Sequence, residues 1–376
     1  MDALNILNAS SYLILLIVDE KGKLVRTLTD GDIRRFILDK GRLDVCIGEF
    51  SKKNPITVLK DITGPKVLKM MIRNGINQIP IVDENYRPIG IHIKSDLDKS
   101  ILLSTPHIGN YEESFVKEAF DSNWIAPIGP NVDALEEEIS SYVGGSHVAV
   151  VNSGTSAIHL SLILLNVSRG DFVFCQSWTF IASVNPVLYQ GATPIFIDSE
   201  PKTWNISPEA LRKALEHYKK KNTLPKAIIV VHLYGNSASM NEIMSIADEY
   251  CVPIIEDAAE SIGSLYKGKH TGTLGKFGIY SFNGNKIITT SGGGALISKD
   301  KNLIDRARFL STQAKDVSPH YEHSEVGYNY RMSNVLAGIG RGQLKVLDER
   351  IISRRRILEK YKNALKSIDS IEWIPD

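Results

Sequence analysis

Three cysteines are all this sequence has: Cys46, Cys175 and Cys251, far apart, odd in number and without metal-ligand spacing. That excludes a disulfide scaffold and a cysteine-built metal centre, and it suits a reducing compartment. An excess of charge is also missing. Forty-four Lys and Arg stand against 43 Asp and Glu, so no broad basic field is available for nucleic acid. Long apolar runs are absent near the N-terminus. Leu13 to Val18 is the longest there, far short of the roughly 20 residues that span a bilayer. Asp19 and Glu20 follow it and no basic segment precedes it, which argues against a signal peptide. The expected location is the cytoplasm, with neither membrane nor nucleic acid as partner. What remains is ordinary globular composition, 43% hydrophobic and 23% charged over 376 residues, enough for two or three domains at about 150 residues each.

The first hundred residues carry two units of one design. Leu13–Val18, a polar Asp-Glu-Lys-Gly and Leu24–Leu28 predict a hairpin, and Asp30–Leu38 predicts a helix. The pattern returns at Gln78–Val82, Pro88–Ile93 and Ser95–Ser100. "LIVDEKGKLVRTLTDGDI" and "PIVDENYRPIGIHIKSDL" align without a gap, the mark of a duplication whose halves must pack together to bury their sheets.

Residues 1–98 thus resemble a CBS-domain pair, a small α/β regulatory module that often holds an adenine nucleotide between its halves. The resemblance places Thr29 and Asp32 where such a module contacts ribose. In the second repeat Asp96 remains but Ile93 replaces the hydroxyl, and Arg26 stands where a Gly is usual. Two readings follow: a nucleotide site, or a folded appendage that sets oligomer geometry. The departures favour the second.

From about residue 104 helices alternate with apolar strands. Strands are predicted at His147–Val151, Phe172–Cys175, Thr193–Phe196, Ala227–Val231, Pro253–Ile255, Gly278–Tyr280 and Gly294–Ile297. Helical patterns at Ala157–Leu165, Pro208–Tyr218 and Asn241–Tyr250 lie between them. Such alternation predicts a mostly parallel sheet between layers of helices. From Ser333 onward a long, charged, solvated helix is expected.

Three phrases in this segment carry chemistry. In "VNSGTSAIHLSL" a strand ends in Ser-Gly-Thr-Ser and a helix begins, a junction whose free N–H groups suit an anion. Gly154 allows close approach, while Thr155 and Ser156 add hydroxyls; taken alone, the same residues are ordinary helix caps. In "VPIIEDAAES" Glu256 and Asp257 sit at a strand end, where parallel sheets bind ligands. In "GIYSFNGNKIITTSGGGALIS" Lys286 lies in a loop between two strands. A buried lysine there is a competent nucleophile toward an aldehyde; Lys276 is the weaker candidate. A phosphate cradle, a carboxylate and a lysine together match pyridoxal phosphate, whose phosphate needs donors, whose pyridine nitrogen needs an acid and whose aldehyde needs an amine. Trp178 and Phe180 supply aromatic faces.

Residues 104–376 resemble the DegT/StrS family of sugar-nucleotide aminotransferases, through "SNWIAPIGPNVDALEEEI", "SWTFIASVNP", "HLYGNSA", "EDAAESIGS", "YSFNGNKIITTSGGG" and "GYNYRMSNVLAGIG". The likeness is strongest to the branch acting on UDP-linked 4-keto-6-deoxy-N-acetylhexosamine in the bacillosamine pathway. It implies a fold-type I large domain over residues 104–340, glutamate as amino donor and a homodimer with shared sites serving bacterial surface glycan or glycoprotein synthesis. It assigns Lys286 to cofactor attachment and proton transfer, Asp257 to the pyridine nitrogen and Phe180 to the ring face. Gly154, Thr155 and Ser281 fall to the phosphate, with Ser156 counted among the cofactor-binding residues from the strand-to-helix junction, Glu260 to the 3′-oxygen side, and Asn329 to the phosphate of the second copy. No metal is implied.

The family's small C-terminal subdomain, on the order of a hundred residues, is expected to begin where this sequence ends, with 341–376 as the helix leading to it. Two alternatives follow. The dehydratase branch carries His in place of the lysine, which Lys286 opposes. A catalytically silent scaffold or nucleotide-sensing protein would keep the fold without turnover.

Overall fold

Two small hairpins repeat each other in atomic detail within the first of the chain's two units, Met1–Leu103 and Ser104–Asp376. The computed structural model describes residues 5–7, 10, 12–40, 46, 54–98 and 103–374. Strands β1 (Ile14–Val18) and β2 (Leu24–Thr29) pair antiparallel and lead into the helix Asp30–Lys40. After β3 (Val58–Leu59) and the helix Gly64–Asn74, β4 (Gln78–Val82) and β5 (Pro88–Ile93) do the same before the short helix Lys94–Leu97.

Each turn is held by an aspartate. Asp19 Oδ1 accepts from the N–H groups of Lys21 and Lys23, and Asp83 Oδ1 from those of Asn85 and Arg87. Each register shifts at the same place, Ile17/Val18 and Ile81/Val82. The left-handed position is Gly22 in the first turn (φ 76°) and Tyr86 in the second (φ 63°), so the duplication kept a backbone that glycine favours and tyrosine tolerates. The N–H of Leu24 donates to the Tyr86 carbonyl at 2.9 Å, tying one repeat to the other. The second-repeat helix is shorter than expected, and residues 99–100 of that expectation lie outside the described residues.

The second unit is built on seven strands: β6 (His147–Val151), β7 (Phe172–Gln176), β8 (Thr193–Ile197), β9 (Ala227–Val231), β10 (Ile254–Asp257), β13 (Phe277–Ser281) and β14 (Gly294–Ser298). The minor hairpin β11 (Leu265–Tyr266) and β12 (Lys269–His270) stands apart. The sheet order is β6-β14-β13-β10-β9-β7-β8. β14 runs against both neighbours and the other pairings are parallel. This is the mostly parallel sheet between helices that the alternation predicts.

Because side chains alternate along a strand, each strand feeds two cores. Ala149, Val151, Val173, Cys175, Ile229 and Ile255 pack under the helices Gly154–Leu164 and Lys301–Ser311. Val148, Val150, Ala295 and Ile297 face the helices Pro130–Tyr142 and Asn334–Lys345. Farther along that face, Phe174, Ile228, Val230 and Ile254 meet Pro208–Lys220 and Met240–Glu249.

The single solvated helix expected from Ser333 is instead two, Asn334–Lys345 and Leu347–Ala364, and the first is substantially buried. Its glycines are the reason. Gly342 lies so close to the helix Asn110–Asp121 that an added Cβ would come 2.6 Å from the Glu112 nitrogen. Among the described residues no helix is long and apolar enough to cross a membrane.

Candidate active site

Five strand ends meet at one cavity of about 560 Å³. β6 delivers Gly154 and Thr155, β7 leads to Phe180 and Ser183, and β9 runs into His232–Tyr234. β10 ends on Asp257, and β13 ends on Ser281 before the Lys286 loop. Gly154, Thr155, Phe180, Asp257, Glu260, Ser281 and Lys286 all lie in its wall.

The cradle is a helix start. Ser153 caps Gly154–Leu164, its Oγ accepting from the N–H of Ser156 at 3.0 Å, and the first-turn N–H groups of such a helix have no preceding carbonyl to bond. A Cβ on Gly154 would come 3.1 Å from that of Ser281, so glycine is what lets the strand end approach the helix. The Ser156 hydroxyl donates to Asn152 Oδ1 at 2.6 Å; Asn152 lies in the cavity wall, and Ser156 is not among the lining residues.

The cradle is itself braced. Glu136 accepts from the Val150 N–H at 2.8 Å and pairs with Arg331 at 2.5 Å and Arg308 at 2.9 Å. Asn152 N donates to the Tyr330 carbonyl at 2.7 Å.

The two neighbouring carboxylates part company because the strand pleat sends them to opposite faces. Glu256 is fully buried and pairs with His232 Nε2 at 2.9 Å. It also accepts from the N–H groups of Gly272, Leu274 and Gly275. Burial pushes its pKa up, but these hydrogen bonds outweigh burial and hold the carboxyl below its ordinary range. His232 Nδ1 accepts from Ala238 N–H at 3.2 Å, which leaves the ring proton on Nε2 for Glu256. This pair is an anchor.

Asp257 is only 6% exposed and faces the cavity. It accepts from Ser183 Oγ at 2.5 Å and from Ala259 N–H at 3.2 Å, and Ser183 is in turn bonded to Thr179 at 2.7 Å. Burial raises the Asp257 pKa, and the opposing pull of Ser183, Ala259, Lys286 and His232 does not reverse it. A carboxyl buried this deeply is stabilised in its charged form by any cationic group that enters the cavity.

Lys286 Nζ lies 3.1 Å from Glu260 Oε1 with only 16% of its side chain exposed. Lys276, the alternative, pairs with Asp300 at 3.4 Å and lies outside the cavity wall. Phe180 stands largely exposed at the cavity edge. Trp178 stacks on Trp204, ring centres 5.4 Å apart and 15° from parallel. Asn329 is exposed, bridges Thr312 and does not line this chain's cavity.

Sequence reasoning passed over Ser183, Thr179 and Arg331. A serine three positions after Phe180 carries no signal of its own. Only the 3-10 turn Ile181–Ser183 brings its hydroxyl to a carboxylate 74 positions on.

These residues fit pyridoxal phosphate. A helix start beside a close-packed glycine suits the phosphate, an under-partnered buried carboxyl suits a protonated ring nitrogen, and a sheltered amine suits the aldehyde.

Comparison with known proteins agrees. The model of the DegT/DnrJ/EryC1/StrS aminotransferase family matches residues 106–376, and the CBS domain model matches 47–98. EpsN of Bacillus subtilis (strain 168), named as a pyridoxal phosphate-dependent aminotransferase, is 58% identical over 280 residues, 74% of this chain and 72% of that protein. GDP-perosamine synthase of Escherichia coli O157:H7 is 39% identical over 270 residues, 72% of each. The crystal structure of the aminotransferase TlmJ from Streptoalloteichus hindustanus matches with a TM-score of 0.69 at 31% identity, covering 74% of each chain. The chain therefore belongs to the DegT/DnrJ/EryC1/StrS aminotransferase family: it is a pyridoxal phosphate-dependent aminotransferase with a CBS domain in its N-terminal part.

Proposed function

We propose that this enzyme moves an amino group from glutamate to the keto carbon of a nucleotide-linked 4-keto-6-deoxy sugar, for a bacterial surface glycan or glycoprotein. The observation that carries the reading is the shared cavity: Asp257 and Lys286 lie in one wall with the Gly154 helix start. The bound cofactor supplies an electron sink that makes a carbon–hydrogen bond beside nitrogen acidic. The chain's residues do the rest. The helix start, with Gly154, Thr155 and Ser281, holds the phosphate. Phe180 covers one ring face. Asp257 keeps the ring nitrogen protonated, and Lys286 anchors the aldehyde and then carries the proton between substrate carbon and cofactor carbon. Glu260, on the Lys286 ammonium at 3.1 Å, sits where the cofactor's 3′-oxygen side is expected.

The motif likeness supports a UDP-linked N-acetylhexosamine as acceptor. The name of the GDP-perosamine synthase relative supports a GDP-linked sugar as the second reading. The chain is tested with cofactor, glutamate and UDP-, GDP- and dTDP-linked 4-keto sugars, by product mass. Amination of one of them supports the reading, and a mass change with none rejects it.

Ser183 has a role through Asp257. Its hydroxyl stabilises the charged carboxylate, and a hydrogen bond to a charged group contributes about 1.5–3 kcal/mol. Ser183→Ala is expected to weaken cofactor binding roughly tenfold or more, with Ser183→Thr restoring it. Cofactor titration checks this, and equal affinity in Ser183→Ala would reject it.

A homodimer with shared sites is the assembly we propose. Ile181, Leu188 and Tyr189 are exposed close to Phe180 in sequence, and Asn329 stands free of its own cavity. If Asn329 serves the second copy, Lys286→Ala and Asn329→Ala chains, each impaired, regain activity on mixing, because each mixed dimer holds one intact site. No recovery after verified subunit exchange would refute the sharing.

In the first unit a cavity of about 1,120 Å³ is lined in part by Arg26, Thr29, Asp32 and Arg35. Thr29 Oγ1 donates to Asp32 at 2.7 Å, and Arg35 bonds the same carboxylate at 2.5 Å. The pair is engaged in starting a helix, which supports the structural reading of the module. ATP, ADP and AMP are accordingly expected to shift the melting temperature of the full chain little. Micromolar binding by calorimetry that disappears in Asp32→Ala would show a nucleotide-regulated enzyme instead.

A further inference from the structure

The helix that opens on the cofactor cradle, Gly154–Leu164, carries a titratable side chain that the chemistry above does not use. His159 is only 5% exposed, on a helix whose neighbouring Ile158, Leu160 and Leu162 are core residues. A ring buried there needs partners for both nitrogens. It has them. The Gln190 amide donates to Nε2 at 2.6 Å, so the proton of the neutral ring sits on Nδ1 and goes to Tyr330 Oη at 3.1 Å. Burial lowers the His159 pKa, which keeps the ring neutral at neutral pH. Three phenol rings surround it: Tyr189, Tyr328 and Tyr330, with ring centres 5.5, 5.1 and 5.9 Å away. Tyr328 and Tyr330 also stack on each other, 5.1 Å apart and 21° from parallel.

Those two tyrosines flank Asn329. The segment is extended, with antiparallel bridges from Asn329 to Thr312 and from Arg331 to Val151, so successive side chains alternate. Tyr328 and Tyr330 go inward, half-buried against the core, and Asn329 goes outward, exposed. The backbone of the segment is fixed at the cradle. Asn152 N–H donates to the Tyr330 carbonyl at 2.7 Å, and Asn152 Nδ2 to the Asn329 carbonyl at 3.2 Å. Backbone bonds near the strand axis resist its rotation weakly, and that rotation decides where Asn329 points. A hydrogen bond at the far end of the Tyr330 ring has a longer lever.

We propose that His159 is a positioning residue: gripping Tyr330 from the cradle helix, it aims Asn329 at the cofactor phosphate of the second copy. The inference rests on the shared-site homodimer proposed above. A phenylalanine would fill the same space and face the same tyrosine rings, but it would hold neither Gln190 nor Tyr330.

The test uses the full chain and reads the visible absorbance of lysine-linked pyridoxal phosphate during cofactor titration. His159→Phe and Tyr330→Phe are each expected to weaken cofactor affinity about three- to tenfold, the worth of one hydrogen bond. The double variant should be no weaker than either alone, because both changes break the same bond. Mixing then decides the direction of the effect. His159→Phe chain is combined with an excess of Lys286→Ala chain, which forms no band of its own. In a mixed dimer the band-forming site takes Asn329 from the Lys286→Ala chain, where His159 is intact. Parent-like affinity after verified subunit exchange is the expected result, since a defect confined to the chain's own cradle would persist. Persistent weak binding overturns the proposal if Asn329→Ala chain, mixed in the same way, does recover. If Asn329→Ala also fails to recover, the shared site is refuted and His159 loses its role with it. Parent-like affinity of both single variants before mixing overturns the proposal outright. Tyr330→Phe keeps the ring and its stack, so it carries the same mixing test should His159→Phe fold poorly.

Discussion

Lys286→Ala is expected to lose the visible absorbance of lysine-linked cofactor and to lower turnover by at least about 100- to 10,000-fold, the usual worth of one positioned proton carrier. The fold should survive. Lys286 lies in a loop, its ammonium pairs with Glu260, and that carboxylate is 37% exposed, so water can replace the lost ion pair at a cost of about 0–1 kcal/mol. Circular dichroism and melting temperature separate loss of chemistry from loss of structure. A full-strength band in the variant would place the attachment elsewhere, and Lys276, paired with Asp300, would be the first residue to replace.

Asp257→Asn is expected to separate stability from catalysis in the opposite sense. Burial raises the Asp257 pKa, so in the folded chain without cofactor burial penalises the charged carboxylate. Its contribution to stability is greatest below the ordinary carboxyl pKa and is lost as pH rises through the raised value. At neutral pH the variant without cofactor should therefore melt no lower than the parent, since the amide oxygen still accepts from Ala259 N–H and the amide NH2 can donate to Ser183 Oγ, whose own proton then goes to Thr179. With cofactor the order reverses. A neutral amide does not hold the proton on the ring nitrogen, so the variant should gain less stability from cofactor and lose most of its turnover. Melting curves with and without cofactor at several pH values check both halves, and parent-like turnover would reject the role given to Asp257.

Much of this architecture was legible in apolar runs bounded by polar breaks. "HVAVV" and "AIIVV" are strands β6 and β9 with no shift of boundary, because buried strands leave little room for polar residues. The scattered Gly154, Asp257, Ser281 and Lys286 come to one cavity for a topological reason. Parallel strands put their carboxyl ends on one side, and each residue follows or closes such an end.

Other features had no local signature. Only the pleat decides that Glu256 serves the core and Asp257 the cavity. Arg331 and Glu136 meet across 195 positions. The burial of Asn334–Lys345 depends on glycines whose meaning is the close approach of another helix.

The central claim is amino transfer through a cofactor anchored at Lys286, and a single half-reaction tests it most directly. Purified chain is loaded with pyridoxal phosphate, the visible band is recorded, and glutamate is added without any sugar. The account predicts that the band gives way to the shorter-wavelength absorbance of the aminated cofactor, with one 2-oxoglutarate released per loaded site, and that Lys286→Ala does neither. A band that glutamate leaves unchanged, with no 2-oxoglutarate formed, would contradict it.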